Sequence, residues 1–161
     1  MSNYDPTTAP TSETLSADAI FDVAGTRRIE LELPYSGAVT PLEAWRLFTA
    51  SKAKLVDVRT PAEYKFVGAV PGSVNVEWRG ADILPTAMFV SGLKNVARFT
   101  EPVLLLCRSG VRSHSAARAA AAAGFSHVYN VLEGFEGPLD DSHHRGAVGG
   151  WRKEGLPWEQ T

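Results

Sequence analysis

One cysteine, Cys107, is all the sulfur nucleophile this 161-residue chain possesses. A lone thiol cannot staple its own chain, so a disulfide framework and a self-contained dithiol redox cycle are both excluded. A reactive thiol, an intermolecular bridge or inert core filler remain. Also lacking is any apolar run of the roughly 20 residues needed to cross a bilayer. The stretch Met1 to Ser16 is without the basic start and hydrophobic core of an export signal. No membrane partner and a cytoplasmic location are therefore expected. Positive charge is not in surplus either. The formal charge is -2, with 21% charged and 44% hydrophobic residues, and this offers nothing to a nucleic-acid partner. No internal repeat is visible, and the length suits a single well-buried core.

What is there is organised as one domain over residues 17–161, preceded by a Ser/Thr/Pro-rich lead, "MSNYDPTTAPTSETLS", expected to be disordered. "RRIELELPY" alternates Ile29, Leu31 and Leu33 with glutamates and predicts a strand with one wet face. Thr40, Pro41 and Glu43 announce a helix, through a cap, a proline at the first helical position and a capping-box partner. "KLVDVR" predicts a strand, "PAEYKFV" a helical segment and "SVNVEW" a further short strand. "VLLLC" is apolar without alternation, as in a strand buried on both faces. The alanine-rich run from Arg112 to Ala123 predicts a helix ended by Gly124, with another strand in "SHVYNVLEG". Strands alternating with helices imply α/β architecture with a largely parallel sheet. "DSHHRGAVGG" predicts an irregular excursion, and "WRKEGLPWEQT" a short helix or turn anchored by Trp151 and Trp158.

Cys107 thus falls at the carboxyl end of a central strand, where ligands of open α/β sheets collect. It opens the short strand-to-helix connection "CRSGVR". Gly110 can take a backbone conformation closed to other residues, and such a turn before a helix gathers N–H groups into an anion cradle. Arg108, Arg112 and Arg118 add positive charge, while no Asp or Glu occurs from Val103 through Leu132. Surroundings of this kind favour thiolate and make a nucleophile of Cys107. The competing reading is a buried, inert core cysteine. A nucleotide-binding P-loop is excluded, because its Gly-Lys-Ser/Thr ending is absent.

These residues resemble the rhodanese, or thiosulfate sulfurtransferase, superfamily. "CRSGVRS" is similar to its active-site loop, "LVDVRTPAEY" to its Asp-x-Arg strand end and "GAVPGSVNV" to its turn signature, and "VYNVLEG" and "GGWRKEGLP" resemble its closing segments. The resemblance covers about Val39 to Pro157. It implies a three-layer α/β domain with a five-stranded, mainly parallel sheet flanked by helices. Cys107 would accept a sulfane sulfur from thiosulfate or another donor, become a persulfide and pass the sulfur to a small-molecule or protein thiol. Neither a metal nor an organic cofactor is implied. Carried over residue by residue, Cys107 is the nucleophile. Arg108, Ser109, Gly110, Val111, Arg112 and Ser113 surround its sulfur, with Arg108 and Arg112 orienting an anionic donor. Asp57 and Arg59 support the loop from behind, and Glu63 either pairs with Arg59 at the helix start or stands solvated.

Two departures stand out. Ala69 occupies a position where the family signature has histidine, and an insertion at about Phe135 to Val148 separates "VLEG" from "GGW". Its glycine, Asp and His content suggests a polar, mobile flap or rim over the site. His143 and His144, with Asp140 and Asp141 nearby, raise a metal reading, but their spacing is not a zinc pattern. Trp78 and Phe135 are candidates for the mouth or for packing, and His114 for donor contact or for solvent. Cysteine phosphatases place one residue more between thiol and gripping arginine than the four found here. Phosphatase or arsenate reductase chemistry is accordingly a lesser reading. A non-catalytic sulfur-carrier or interaction domain is the alternative from another class.

Overall fold

The computed structural model describes residues 15–161. The lead expected over Met1 to Ser16 therefore lies outside the described residues as far as Thr14, while Ser16 caps the first helix. Helix α1, Ala17–Glu30, starts where the Ser16 side chain accepts the Ala19 N–H at 3.1 Å. Strand β1, Gly37–Val39, leads into α2, Pro41–Thr49, whose Thr40–Glu43 capping box forms in both directions. Strand β2 is Lys54–Asp57, and a short π-helical turn spans Glu63–Val67. Strand β3, Val74–Asn75, precedes α3, Thr86–Val96. Strand β4, Val103–Leu106, runs through the candidate loop into α4, Val111–Ala122, and β5, Val128–Val131, completes the sheet.

All pairings are parallel, in the order β1-β5-β4-β2-β3. This is the five-stranded parallel α/β sheet that the resemblance implies. Strand β4 is central and dry on both sides. Leu104 and Leu106 pack into one core layer with Ile20, Leu47, Val131 and Trp151. Val103, Leu105 and Cys107 pack into the other with Phe89, Leu93, Ala116, Ala117 and Ala120. The alanine face of α4 explains its composition, since small side chains let the helix axis lie close over β4 and β5.

The strand predicted over "RRIELELPY" is absent. Arg27 to Glu30 form the last turn of α1, and Leu31 N–H closes the helix on Arg27 O at 2.8 Å. The alternation misled because α1 buries only Ile20 and Ala24 fully, leaving Ile29 and Leu31 exposed. Its attachment is polar as well as apolar: Arg27 donates to Ala38 O at 2.9 Å and pairs with Glu43 at 2.6 Å. The predicted strand "SVNVEW" has a ladder of two residues, although the N–H groups of Val76 and Trp78 continue onto Asp57 O and Val58 O. The closing segment is a run of turns. Trp151 is fully buried, edge-on to Trp45, and the Ala69 and Glu159 backbones pair antiparallel.

Candidate active site

Parallel strands bring Asp57 and Leu106 into register, so the chain leaves β2 and β4 side by side at one end of the sheet. Cys107 is the first residue beyond β4 and is 1% exposed. Gly110 then turns left-handed, at φ 95°, and caps α4. That conformation aims its N–H back at the sulfur, 3.1 Å from Cys107 Sγ. Ser113 Oγ lies 3.2 Å from the same sulfur. Helix α4 begins at Val111, directly after this turn, and the first N–H groups of a helix have no intrahelical partner, the arrangement that stabilises an anion.

The loop is held in place by a polar network buried beneath it. Asn130 in β5, 4% exposed, donates from Nδ2 to Gly110 O at 3.1 Å and accepts the Ser113 hydroxyl at 2.5 Å. Burial pushes the Tyr35 phenol up to about 12, and its hydroxyl lies 2.6 Å from His114 Nδ1. Asn130 and Tyr35 are absent from the residues singled out in the sequence. The available signal was the asparagine inside the otherwise apolar "VYNVL", because a polar side chain in a buried strand must find partners.

Arg112 does not stand free over the sulfur. Glu63 takes its guanidinium with both carboxylate oxygens, at 2.7 and 2.8 Å. The arginine holds the Glu63 carboxyl down to about 2, and the glutamate in turn raises Arg112. Glu63 thus neither pairs with Arg59 nor stands solvated, the two readings the sequence offered: Thr60 Oγ1 caps Glu63 N at 3.2 Å, and the π turn presents the carboxylate to Arg112 in the loop. Arg108 is the loop cation left exposed, alongside the exposed Val111 and the half-buried Ser109.

Arg59 turns to Asp57. Both are fully buried, with Arg59 Nη2 2.7 Å from Asp57 Oδ2 and 2.6 Å from Gly68 O. The guanidinium lies 4.4 Å from the centre of the Phe135 ring, and Arg59 Nη1 has no hydrogen-bond partner among the described residues. Phe135 is fully buried, so the start of the insertion is core rather than rim. Its N–H donates to Cys107 O at 2.8 Å, and the next N–H, of Glu136, donates to Arg108 O at 2.9 Å. Gly134 makes this approach possible, since a Cβ there would lie 2.5 Å from Cys107 O. Trp78 packs against Phe89 in the core. His143 and His144 are exposed, and Asp140 Oδ1 is occupied by the N–H groups of Ser142 and His144.

The Rhodanese-like domain family matches residues 40–139, more than half of the chain. The chain belongs to this family. Uncharacterized protein RP600 of Rickettsia prowazekii is 31% identical over 115 residues, covering 70% of this chain and 88% of the relative. The thiosulfate sulfurtransferase GlpE of Actinobacillus succinogenes is 29% identical over 121 residues, 75% of this chain and 88% of that one. Among solved structures, Rv0390 from M. tuberculosis is 46% identical with a TM-score of 0.69, covering 79% of this chain and 99% of the other. Helix α1 and the residues up to Val39, Tyr35 among them, lie before the matched family region. Among the described residues, no helix is long and apolar enough to cross a membrane.

Proposed function

We propose that this rhodanese-like protein is a sulfurtransferase that carries sulfane sulfur on Cys107. The observation that carries the reading is the sulfur at the mouth of α4, 3.1 Å from the Gly110 N–H and 3.2 Å from Ser113 Oγ. In the loading step, the Cys107 thiolate attacks the outer sulfur of thiosulfate. A sulfur–sulfur bond forms at Sγ, the bond to the sulfonate sulfur breaks, and sulfite leaves with the electron pair. An acceptor thiolate then attacks the bound outer sulfur and returns the pair to Sγ. No net redox change occurs, and the preorganised N–H groups from Arg108 through Ser113 stabilise charge as it moves along the sulfur chain.

Arg108 meets the anionic donor in this reading, while Arg112 shapes the loop through Glu63. Asp57 and Arg59 hold the end of β2 beside it. The bidentate engagement of Arg112 also favours sulfur transfer over phosphate chemistry, because that fork is not open to a phosphate. The setting we assign is the cytoplasm, where small and protein thiols supply acceptors.

Intact-mass measurement after thiosulfate treatment tests the reading. One added sulfur, removed by reductant and absent from Cys107→Ser, is the expected result. A folded protein whose thiol alkylates normally but takes up no sulfur overturns thiosulfate as donor. Faster hydrolysis of an aryl phosphate than turnover of thiosulfate would promote the phosphatase alternative.

A further inference from the structure

A wide-mouthed hollow of about 400 Å³ lies beside the loop, with Gly110 and Val111 among its lining residues. Leu31, Leu33 and Tyr35 form one wall, and Val111, His114 and Leu132 contribute to the rest. The wall of Leu31 to Tyr35 precedes the part of the chain matched to the family, and the sulfur chemistry proposed above makes no use of it. Leu31 and Val111 are 53% and 72% exposed, an apolar surface standing in solvent immediately beside the candidate nucleophile's loop.

The lining carries no Asp, Glu, Lys or Arg. A charged ligand body would lose its water there without gaining a counter-ion, whereas an apolar body would gain burial against three leucines and a valine. One polar handle is available. It is the imidazole of the exposed His114, whose Nδ1 lies 2.6 Å from the Tyr35 hydroxyl. The volume is that of a small-molecule site. Gly110 belongs both to this wall and to the sulfur cradle, through its N–H on Sγ. Cys107 itself does not line the cavity, but the outer sulfur of a persulfide stands about 2 Å beyond Sγ.

We infer that this cavity seats the uncharged apolar body of a low-molecular-weight thiol acceptor, whose sulfur is thereby delivered to the loaded Cys107. The inference rests on the sulfurtransferase reading and adds its acceptor class. The acceptor thiol loses its proton to solvent and its thiolate attacks the outer sulfur. The new bond joins acceptor sulfur to outer sulfur, the Cys107–outer sulfur bond breaks, and the electron pair returns to Sγ. The products are the acceptor persulfide and the Cys107 thiolate, with charge and oxidation state conserved overall. Anionic donors would enter past Arg108, and apolar acceptors over Leu31 and Val111.

Two measurements on the full chain test this separately from the sulfur chemistry. Benzyl methyl sulfide, which can neither give nor take sulfane sulfur, is titrated against methyl-labelled protein. Saturable shifts at Leu31, Leu33, Val111 and Leu132 are expected, and their absence overturns the cavity as a binding site whether or not Cys107 carries sulfur. Then the persulfide is prepared and transfer to benzyl mercaptan, 2-mercaptoethanol and cyanide is timed. Leu31→Ser, at an exposed position, and Leu33→Ser should each reduce the preference for benzyl mercaptan over 2-mercaptoethanol roughly ten-fold, with the cyanide rate unchanged. Saturable binding with an unchanged preference in the well-folded Leu31→Ser protein overturns the acceptor assignment. Failure to load sulfur at all, with the methyl shifts intact, overturns the sulfurtransferase reading while leaving the apolar site standing.

Discussion

Ser113 Oγ lies 2.5 Å from Asn130 Oδ1, and that contact fixes the hydroxyl beside the Cys107 sulfur. Two bare oxygen lone pairs would repel at this separation, so the hydroxyl hydrogen sits between them. The asparagine cannot turn over to relieve the arrangement, because its Nδ2 is committed to Gly110 O. Removing Asn130 therefore strands several buried groups at once.

Asn130→Ala should lower the unfolding free energy by about 1–3 kcal/mol, the usual cost of leaving buried partners unsatisfied. Loading of Cys107 from thiosulfate should slow by more than that destabilisation explains at a temperature where the variant is fully folded. Urea unfolding and stopped-flow loading, measured on the same preparation, check both parts. Unchanged loading in the folded variant would show that the loop keeps its shape without the network.

The Glu63–Arg112 pair gives a pH signature. Glu63 is lowered from an ordinary value of 4.5 to about 2, with Arg112 as the principal cause. A carboxyl depressed in the folded state contributes stability above its unfolded value, and this contribution is lost as pH falls through the folded value. Stability should consequently fall between about pH 4.5 and about pH 2, and Glu63→Gln should flatten that part of the curve. Denaturant midpoints across the acid range provide the measurement. An identical slope in wild type and variant would remove Glu63 from the account.

Asp57 and Arg59 form a fully buried ion pair, so truncating one partner leaves the other charge without compensation. Asp57→Ala should cost about 3–5 kcal/mol. Asp57→Leu combined with Arg59→Met should recover much of this loss, since apolar side chains of similar volume replace such pairs at little cost. Thermal and urea unfolding of the single and double variants decide the point. A double variant no more stable than Asp57→Ala would mean that the pair is needed for the shape of the strand end itself.

The exposed part of the insertion invites a narrower cut than the sequence suggested. Phe135, Glu136 and Gly137 must stay, because the first two bond the loop carbonyls and Gly137 is buried. Replacing residues 139–147 with a short Gly-Ser connection should leave sulfur loading and transfer to cyanide intact while changing transfer to a protein thiol. Mass spectrometry of the loaded protein and of the acceptor separates these steps. Loss of loading would place the segment inside the donor site.

Much of the fold was legible because its signals were local. The Thr40–Glu43 capping box, the unbroken apolar run of β4 and the alanine helix closed by Gly124 each follow from a few neighbouring residues. The loop after Cys107 was legible in the same way, whereas the five-stranded sheet was implied by the family resemblance. What stayed hidden depends on distant partners. Nothing near Glu63 in sequence indicates that Arg112, 49 positions later, receives it rather than Arg59. Tyr35 reaches His114 across 79 positions. Helix α1 was missed for a different reason: its exposed Ile29 and Leu31 imitate strand alternation, while Ile20 and Ala24 make its firm contact with the core.

Gly134 and the two residues after it pass so closely beneath the loop that the Cys107 and Arg108 carbonyls are satisfied only by a segment arriving after β5. The loop of the candidate nucleophile is therefore incomplete until the segment after β5 has docked. The shape of the loop and the closure of the fold after β5 are thus tied together through two hydrogen bonds.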